Sequence, residues 1–70
     1  MKTVKSPLDG YLKYIYVSVG DPVQKGQILA VVCILKMENP IPSDRDGIVK
    51  EIFIKKKANV KRGQALLSIE

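Results

Sequence analysis

The chain has 70 residues, of which 46% are hydrophobic and 27% are charged, and its net charge is +5. This length allows one small domain, and the hydrophobic content excludes an intrinsically disordered chain. The single cysteine excludes an internal disulfide and the lack of histidine excludes a Cys/His metal site, so the hydrophobic core must stabilise the fold without cross-links.

The first predicted strand lies in the N-terminal half, where β-branched and aromatic residues are bounded by turn signals such as Asp-Gly and Gly-Asp-Pro. Ile15, Val17 and Val19 recur at every second position, which predicts a strand with one inward face. Leu12 lies three positions before Ile15 and breaks this period of two. A β-bulge or bend is therefore expected between them.

A nearly continuous apolar run follows from Ile28 to Val32 and predicts a strand that is covered on both faces. The next segment contains Lys36 among the apolar residues Ile34, Leu35 and Met37. Because an ammonium group is costly to bury with such neighbours, the segment is expected to expose Lys36 at its tip and to leave its neighbours partly exposed. An exposed patch of this kind predicts recognition by another molecule.

Two prolines, Pro40 and Pro42, come after the central segment and predict an edge strand, since proline cannot donate a ladder hydrogen bond. The second half then repeats the first: residues 43–69 match residues 6–32 at a constant offset of 37 positions without a gap. The nearly continuous apolar run recurs there from Ala65 to Ile69 and predicts a second strand that is covered on both faces. Nine of the 27 aligned pairs are identical, against roughly one or two expected from ordinary composition. Two copies are too few for a solenoid, so the copies must cover each other.

Glycines recur at matched positions, for example Gly10 with Gly47, which indicates positive φ or close backbone approach there. Gly20 is matched by Lys57 instead, and Asn59 is the expected substitute turn residue. The apolar spacing around Val49 repeats the predicted bulge. Both copies thus predict the same short strands and turns, and proline and glycine spacing disfavours helix throughout.

The densest positive charge is the run Lys55 to Lys57 with Lys61 and Arg62, which predicts a solvated turn or an electrostatic docking patch. Nucleic-acid readers usually add aromatic residues that stack on bases. The three tyrosines, at positions 11, 14 and 16, are distant from this run in sequence. No nucleic-acid partner is therefore expected.

Five motifs together cover almost the whole chain. They are Ser6-Pro7-Leu8-Asp9-Gly10, Val19-Gly20-Asp21-Pro22-Val23-Gln24-Lys25-Gly26-Gln27, Lys36-Met37-Glu38-Asn39, Asp46-Gly47-Ile48-Val49 and Val60-Lys61-Arg62-Gly63-Gln64-Ala65-Leu66. With them the chain resembles the biotinyl/lipoyl attachment family, and most closely its biotin carboxyl carrier domain. The resemblance implies a single all-β domain over residues 1–70, a flattened β-barrel or sandwich of two four-stranded antiparallel sheets with pseudo-two-fold symmetry, known as a barrel-sandwich hybrid.

The resemblance also implies a site. Lys36 falls on the lysine that carries covalent biotin in a tight hairpin turn, and the flanking residues Leu35, Met37 and Glu38 would be recognised by a biotin protein ligase. Family members commonly have Glu-Ala-Met before the lysine, where this chain has Cys33-Ile34-Leu35. The changes add bulk beside the turn and remove a negative charge. Met37 after the lysine is more similar to a biotin site than to a lipoyl site.

What the resemblance implies is a non-catalytic carrier. Such a domain carries carboxybiotin between a biotin carboxylase and a carboxyltransferase or decarboxylase, and the tether raises the local concentration at each site. Two alternatives stay open: a lipoyl carrier, and an unmodified β-domain with a binding or architectural role. An enzyme acting alone is not expected from a chain of this size without histidine. No signal peptide or membrane-spanning stretch is recognisable, which predicts a cytoplasmic location.

Overall fold

The computed structural model describes residues 2–70 as eight β-strands joined by turns. The strands are β1 Lys2–Lys5, β2 Gly10–Ile15, β3 Pro22–Val23, β4 Ile28–Ile34, β5 Met37–Pro42, β6 Gly47–Ile52, β7 Asn59–Val60 and β8 Ala65–Ile69. This part of the chain contains no helix, and so none that could cross a membrane. The predicted domain boundary at residue 1 lies outside the described residues.

The strands form two four-stranded sheets. One has the order β1-β8-β6-β3 and the other β5-β4-β2-β7, and all neighbouring strands are antiparallel. The predicted all-β fold class is thereby confirmed. Each copy of the repeat also donates a short strand to the other copy: β3 pairs with β6, and β7 pairs with β2. This exchange is how the two copies cover each other.

Two hydrophobic clusters fill the space between the sheets, and each contains residues from both copies. The first consists of Leu12, Ala30, Val32, Ile41, Val60 and Leu66, and the second of Val17, Val23, Leu29, Val49, Leu67 and Ile69. Burying one such aliphatic side chain contributes roughly 1.5–3 kcal/mol. Because the inner strands β4 and β8 supply residues to both clusters, they are apolar almost throughout, as predicted.

The predicted bulges are present in both copies. The register of β2 against β4 shifts between Leu12 and Tyr14, and the register of β6 against β8 shifts between Val49 and Glu51. Leu12 and Val49 are buried on the inner side of these strands. The extra residue in each strand lets the chain bend without turning its apolar residues outward.

One predicted inward residue lies outside. Val17 is buried as expected, but β2 ends at Ile15 and Val19 is 62% exposed. A turn interrupts the alternation: the amide of Asp21 donates to the carbonyl of Ser18 at 3.0 Å, and the amide of Ser18 donates to Asp21 Oδ2 at 2.8 Å. The period of two therefore stops where the aspartate closes this turn.

In the matching turn of the second copy, the residue with positive φ is not the predicted one. Asn59 was the expected turn residue, but it lies in β7. Lys57 itself adopts a φ of 72°, at the position where Gly20 has a φ of 94°. The fold thus imposes left-handed backbone on a residue with a side chain, at a cost of about 1–2 kcal/mol.

Candidate functional site

A two-residue turn joins β4 to β5 and places Leu35 and Lys36 at the end of the hairpin. Ile34 and Met37 form the last cross-strand pair before it. Leu35 has a φ of 56°, while Lys36 is not in the left-handed region. Positive φ at the first turn residue alone is the pattern of a type II′ turn, which suits the right-handed twist of paired strands. The strands therefore stay in register up to the lysine.

The tip of this hairpin is open to solvent. Leu35 is 90% exposed and Met37 is 62% exposed. Lys36 is also exposed, and its ammonium group forms no salt bridge with any residue between 2 and 70. The structure thus places the lysine, Leu35 and Met37 together on a projecting turn, with the primary amine free to meet another molecule.

The stem of the hairpin is fixed by close packing against β2. A Cβ atom built on Gly10 would collide with the backbone carbonyl oxygen of Cys33 and would lie 2.9 Å from the carbonyl carbon. Only glycine allows β2 to approach β4 this closely, as its repetition in the sequence predicted. Cys33 lies three residues before Lys36, so this contact holds the strand that leads into the turn.

An ion pair holds the other strand of the hairpin. Lys13 Nζ on β2 donates a hydrogen bond to Glu38 Oε2 on β5, so the pair reaches across the intervening strand β4. The hydrogen bond that Lys13 donates to Glu38 raises the pKa of Lys13 above its ordinary value, while desolvation opposes this shift. Glu38 is therefore engaged within the chain, whereas Lys36, two residues earlier, is not.

The Lys13 contact was missed by sequence reasoning. Lys13 and Glu38 are 25 residues apart, and nothing in their local patterns links them. The one available signal was that Lys13 is among the identities of the repeat, matched by Lys50. Cys33, by contrast, is a free thiol buried on β4 and is not part of the exposed tip.

The chain is similar to known attachment and carrier proteins over nearly its whole length. A family model described as "Biotin-requiring enzyme", of biotin and lipoyl attachment domains, matches residues 2–69. The chain is 42% identical over 67 residues to the biotin/lipoyl attachment protein of Bacillus subtilis strain 168, covering 96% of this chain and 92% of that protein.

A second relative is longer than this chain. The biotin carboxyl carrier protein of acetyl-CoA carboxylase from Streptococcus pyogenes serotype M6 is 38% identical over 74 residues, which cover 96% of this chain and 45% of the relative. The chain thus spans nearly all of the Bacillus relative and under half of the streptococcal one.

A solved structure shows the same fold. The urea carboxylase of Kluyveromyces lactis superposes with a TM-score of 0.90 at 23% identity, covering 99% of this chain and 6% of that enzyme. At this level of identity the likeness concerns the fold alone. The eight-stranded arrangement described here therefore also occurs as a small part of a much larger enzyme.

Proposed function

The chain belongs to the biotinyl/lipoyl attachment family, and from that premise we propose that it is a biotin carboxyl carrier whose covalent biotin is bound to Lys36. Residues 1–70 would act as one carrier domain, without catalytic residues of its own. The Streptococcus pyogenes relative is named as a carrier protein of a carboxylase, which supports this role. A cytoplasmic location remains a prediction from the sequence.

The observation that carries the proposal is the exposed amine at the end of a rigid hairpin. Covalent attachment needs a primary amine that a second protein can reach, and Lys36 meets this need because no residue between 2 and 70 pairs with it. The surrounding strands are closely packed, so the attachment point is fixed while the side chain is free to move. Such a scaffold is expected of a carrier, since only the arm needs to travel.

The residues beside Lys36 divide into two groups. Leu35 and Met37 are highly exposed and offer apolar contacts to a biotin protein ligase, the proposed partner in attachment. Glu38 is bonded to Lys13 and holds the hairpin in place. Since no carboxylate of the described chain contacts the Lys36 amine, the ligase must remove its proton. Amide formation then joins Lys36 Nζ to the carboxyl carbon of biotin, with loss of the group that activated that carbon.

Lys36 would hold the biotin, whose ureido ring would supply a carrier for carboxylate between two enzyme sites. The chain's own contribution is to present the arm to a biotin carboxylase and then to a carboxyltransferase or decarboxylase, the remaining proposed partners. Tethering raises the local concentration at each site without new contacts. The short turn and the fixed stem keep the backbone of Lys36 in the same position while the arm moves from one enzyme to the next.

Co-expression with a biotin protein ligase, followed by intact-mass measurement, tests the proposal. The unaltered chain is expected to gain the mass of one biotin, and Lys36→Arg is expected to gain none. Lys56→Arg, which changes another exposed turn lysine, serves as the matched control and should be modified like the unaltered chain. A parallel co-expression with a lipoate ligase measures the alternative cofactor.

Three results would contradict the proposal in different ways. Biotin on the Lys36→Arg variant would reject the site. A gain of lipoate and not of biotin would show that the chain is a lipoyl carrier and not a biotin carrier. A folded chain that gains neither group would leave an unmodified β-domain with a binding role. Circular dichroism of each variant establishes that the fold is intact before the masses are compared.

A further inference from the structure

An aromatic and cationic patch lies on the outer face of the sheet that carries the Lys36 hairpin. We call Lys13, Tyr14, Tyr16 and Lys56 the tyrosine–lysine patch. The two rings stack with centroids 5.9 Å apart and an interplanar angle of 20°. The ammonium groups of Lys13 and Lys56 lie 5.4 and 5.8 Å from the centroid of Tyr14. Both tyrosines are exposed, at 38% and 57%.

The fold builds this patch from distant parts of the chain. The amide of Leu12 on β2 donates to the carbonyl of Ala58 at 2.9 Å, and the amide of Lys57 donates back to the carbonyl of Leu12. These bonds bring the basic turn against the strand that carries the tyrosines, so that Lys56 reaches Tyr14. The basic run and the tyrosines, which are distant in sequence, therefore meet in the folded chain.

The other face of the molecule shows that the fold does not require this patch. The equivalents of Tyr14, Tyr16 and Lys56 in the other copy have different chemistry. They are Glu51, Phe53 and Val19, respectively. This face has the same strands and the same bulge, but within residues 2–70 no aromatic ring there has an ammonium group beside it. A feature present in one copy only, on an otherwise duplicated scaffold, is more readily explained by binding than by folding.

The patch is also linked to the attachment turn. Lys13 belongs to the patch and bonds Glu38, which is two residues beyond Lys36 on β5. A protein that covers the patch would therefore sit beside the hairpin. Lys56 forms no salt bridge with residues 2–70, so its charge is available to such a partner.

We propose that the tyrosine–lysine patch is a docking surface for a carboxylate-rich protein surface on an enzyme that acts on the group bound to Lys36. The proposal rests on the carrier function for the identity of the partner. Charge complementarity argues for the occupant: Lys56 forms no salt bridge with residues 2–70, and although Lys13 is paired with Glu38, both ammonium groups lie beside exposed tyrosines on a chain of net charge +5.

The same geometry argues against nucleic acid as the occupant. Stacking of a base needs a free ring face. Tyr14 is stacked on Tyr16 and has two ammonium groups within 6 Å of its centroid. The patch therefore offers cations and phenol hydroxyls, which bind carboxylates, and few open ring faces.

Titration of the unmodified chain with an octaglutamate peptide, followed by NMR, tests this docking surface. The largest shifts are expected at Tyr14, Tyr16 and their strand, and the affinity should fall as salt is added. The double variant Lys13→Gln/Lys56→Gln should bind the peptide about fivefold or more weakly. The control Lys25→Gln/Lys50→Gln has the same net charge and should lose less than about twofold.

Three outcomes would overturn the docking proposal: no measurable binding of the peptide, equal losses in both double variants, or tighter binding of an octathymidylate to the same residues. Tyr16→Ser, which removes a largely exposed ring, checks the aromatic contribution and should also weaken binding. Because biotin is absent from this experiment, a negative result leaves the Lys36 assignment intact. If biotin attachment fails instead, the peptide-binding result still holds, because it does not depend on biotin. Only the identity of the partner would then have to be assigned again.

Discussion

Two strand pairs lie at equivalent places in the fold but end differently. β4 pairs with β5, and β8 pairs with β1, and these pairs are related by the offset of 37 residues. Beyond Ile34 and Met37 the first pair closes in a turn that carries Lys36, whereas the second pair ends with Lys2 opposite Ile69. Within residues 2–70, the turn that bears Lys36 therefore closes the first of these two strand pairs.

This difference separates features that fold the chain from features that serve a function. The bulges, the inner strands and the close-packed glycines occur twice, which indicates that the fold needs them. Among residues 2–70 the Lys36 turn, the Lys13 to Glu38 ion pair and the tyrosine–lysine patch occur once, and Lys50, the equivalent of Lys13, pairs instead with Glu70 at 3.7 Å. Substitutions at paired positions should therefore change stability alike and change biotin attachment differently.

The largest expected effect comes from the glycines that pack against the strand ends. Gly10→Ala forces a methyl group against the Cys33 carbonyl, and Gly47→Ala forces one against the Ile69 side chain and to 2.7 Å from the Glu70 carbonyl oxygen. Each is expected to lower the free energy of unfolding by about 1–3 kcal/mol. Urea denaturation of both variants measures this loss.

Biotin attachment should distinguish the same two variants. Gly10→Ala displaces the strand that leads to Lys36, so the ligase kcat/KM should fall severalfold at a temperature where both variants are folded. Gly47→Ala disturbs the other junction and should leave kcat/KM close to that of the unaltered chain. Equal kcat/KM values for the two variants would show that the stem of the hairpin does not influence attachment.

A smaller effect is expected at the two residues with left-handed backbone. Leu35 at the tip and Lys57 in the basic turn both have positive φ. Replacement by glycine removes a conformational cost of about 1–2 kcal/mol and adds unfolded-state entropy worth about 0.5–1 kcal/mol. Leu35→Gly and Lys57→Gly should each raise the free energy of unfolding by about 0.5–1 kcal/mol, measured by thermal or urea unfolding.

The ligase reaction separates these two glycine variants. Leu35→Gly removes an exposed apolar contact next to Lys36 and should lower the ligase kcat/KM, although the chain becomes more stable. Lys57→Gly should leave kcat/KM unchanged. If Leu35→Gly is modified as fast as the unaltered chain, the strained leucine has no part in recognition.

The smallest expected effect concerns the Lys13 to Glu38 pair, which is exposed. Since the hydrogen bond to Glu38 raises the folded-state pKa of Lys13 above its ordinary value, the stabilisation is complete at neutral pH and is lost as the pH rises through that raised pKa. Melting temperatures measured from neutral to strongly alkaline pH should therefore decline slightly more for the unaltered chain than for Lys13→Gln. Lys50→Gln, at the equivalent position, should decline like the unaltered chain; a decline like that of Lys13→Gln would refute the assignment to this pair.

Much of the fold could be predicted because its signals are local and occur twice. The shifted apolar spacing around Leu12 and Val49 predicted both bulges, and the apolar runs predicted the inner strands β4 and β8. The exposed tip followed from one charged residue among apolar neighbours. Val19 was mispredicted because a hydrogen-bonded turn overrides its place in the period of two.

The remaining parts depend on contacts between distant segments. Lys13 meets Glu38 across an intervening strand, and Lys56 meets Tyr14 because a turn of the second copy packs on a strand of the first. No local periodicity encodes such contacts. The positive φ of Lys57 could not be predicted from its residue type either. The turn imposes this φ, because the equivalent turn of the first copy has positive φ at Gly20.

Mapping of biotin at the level of single residues tests the central claim most directly. The chain has ten lysines, many of them exposed. After reaction with limiting biotin protein ligase, fragmentation mass spectrometry of the peptides would locate each modified lysine. Biotin on Lys36 alone is the predicted result, because only this lysine projects from the closed hairpin; biotin on another lysine, or spread over several, would contradict the account.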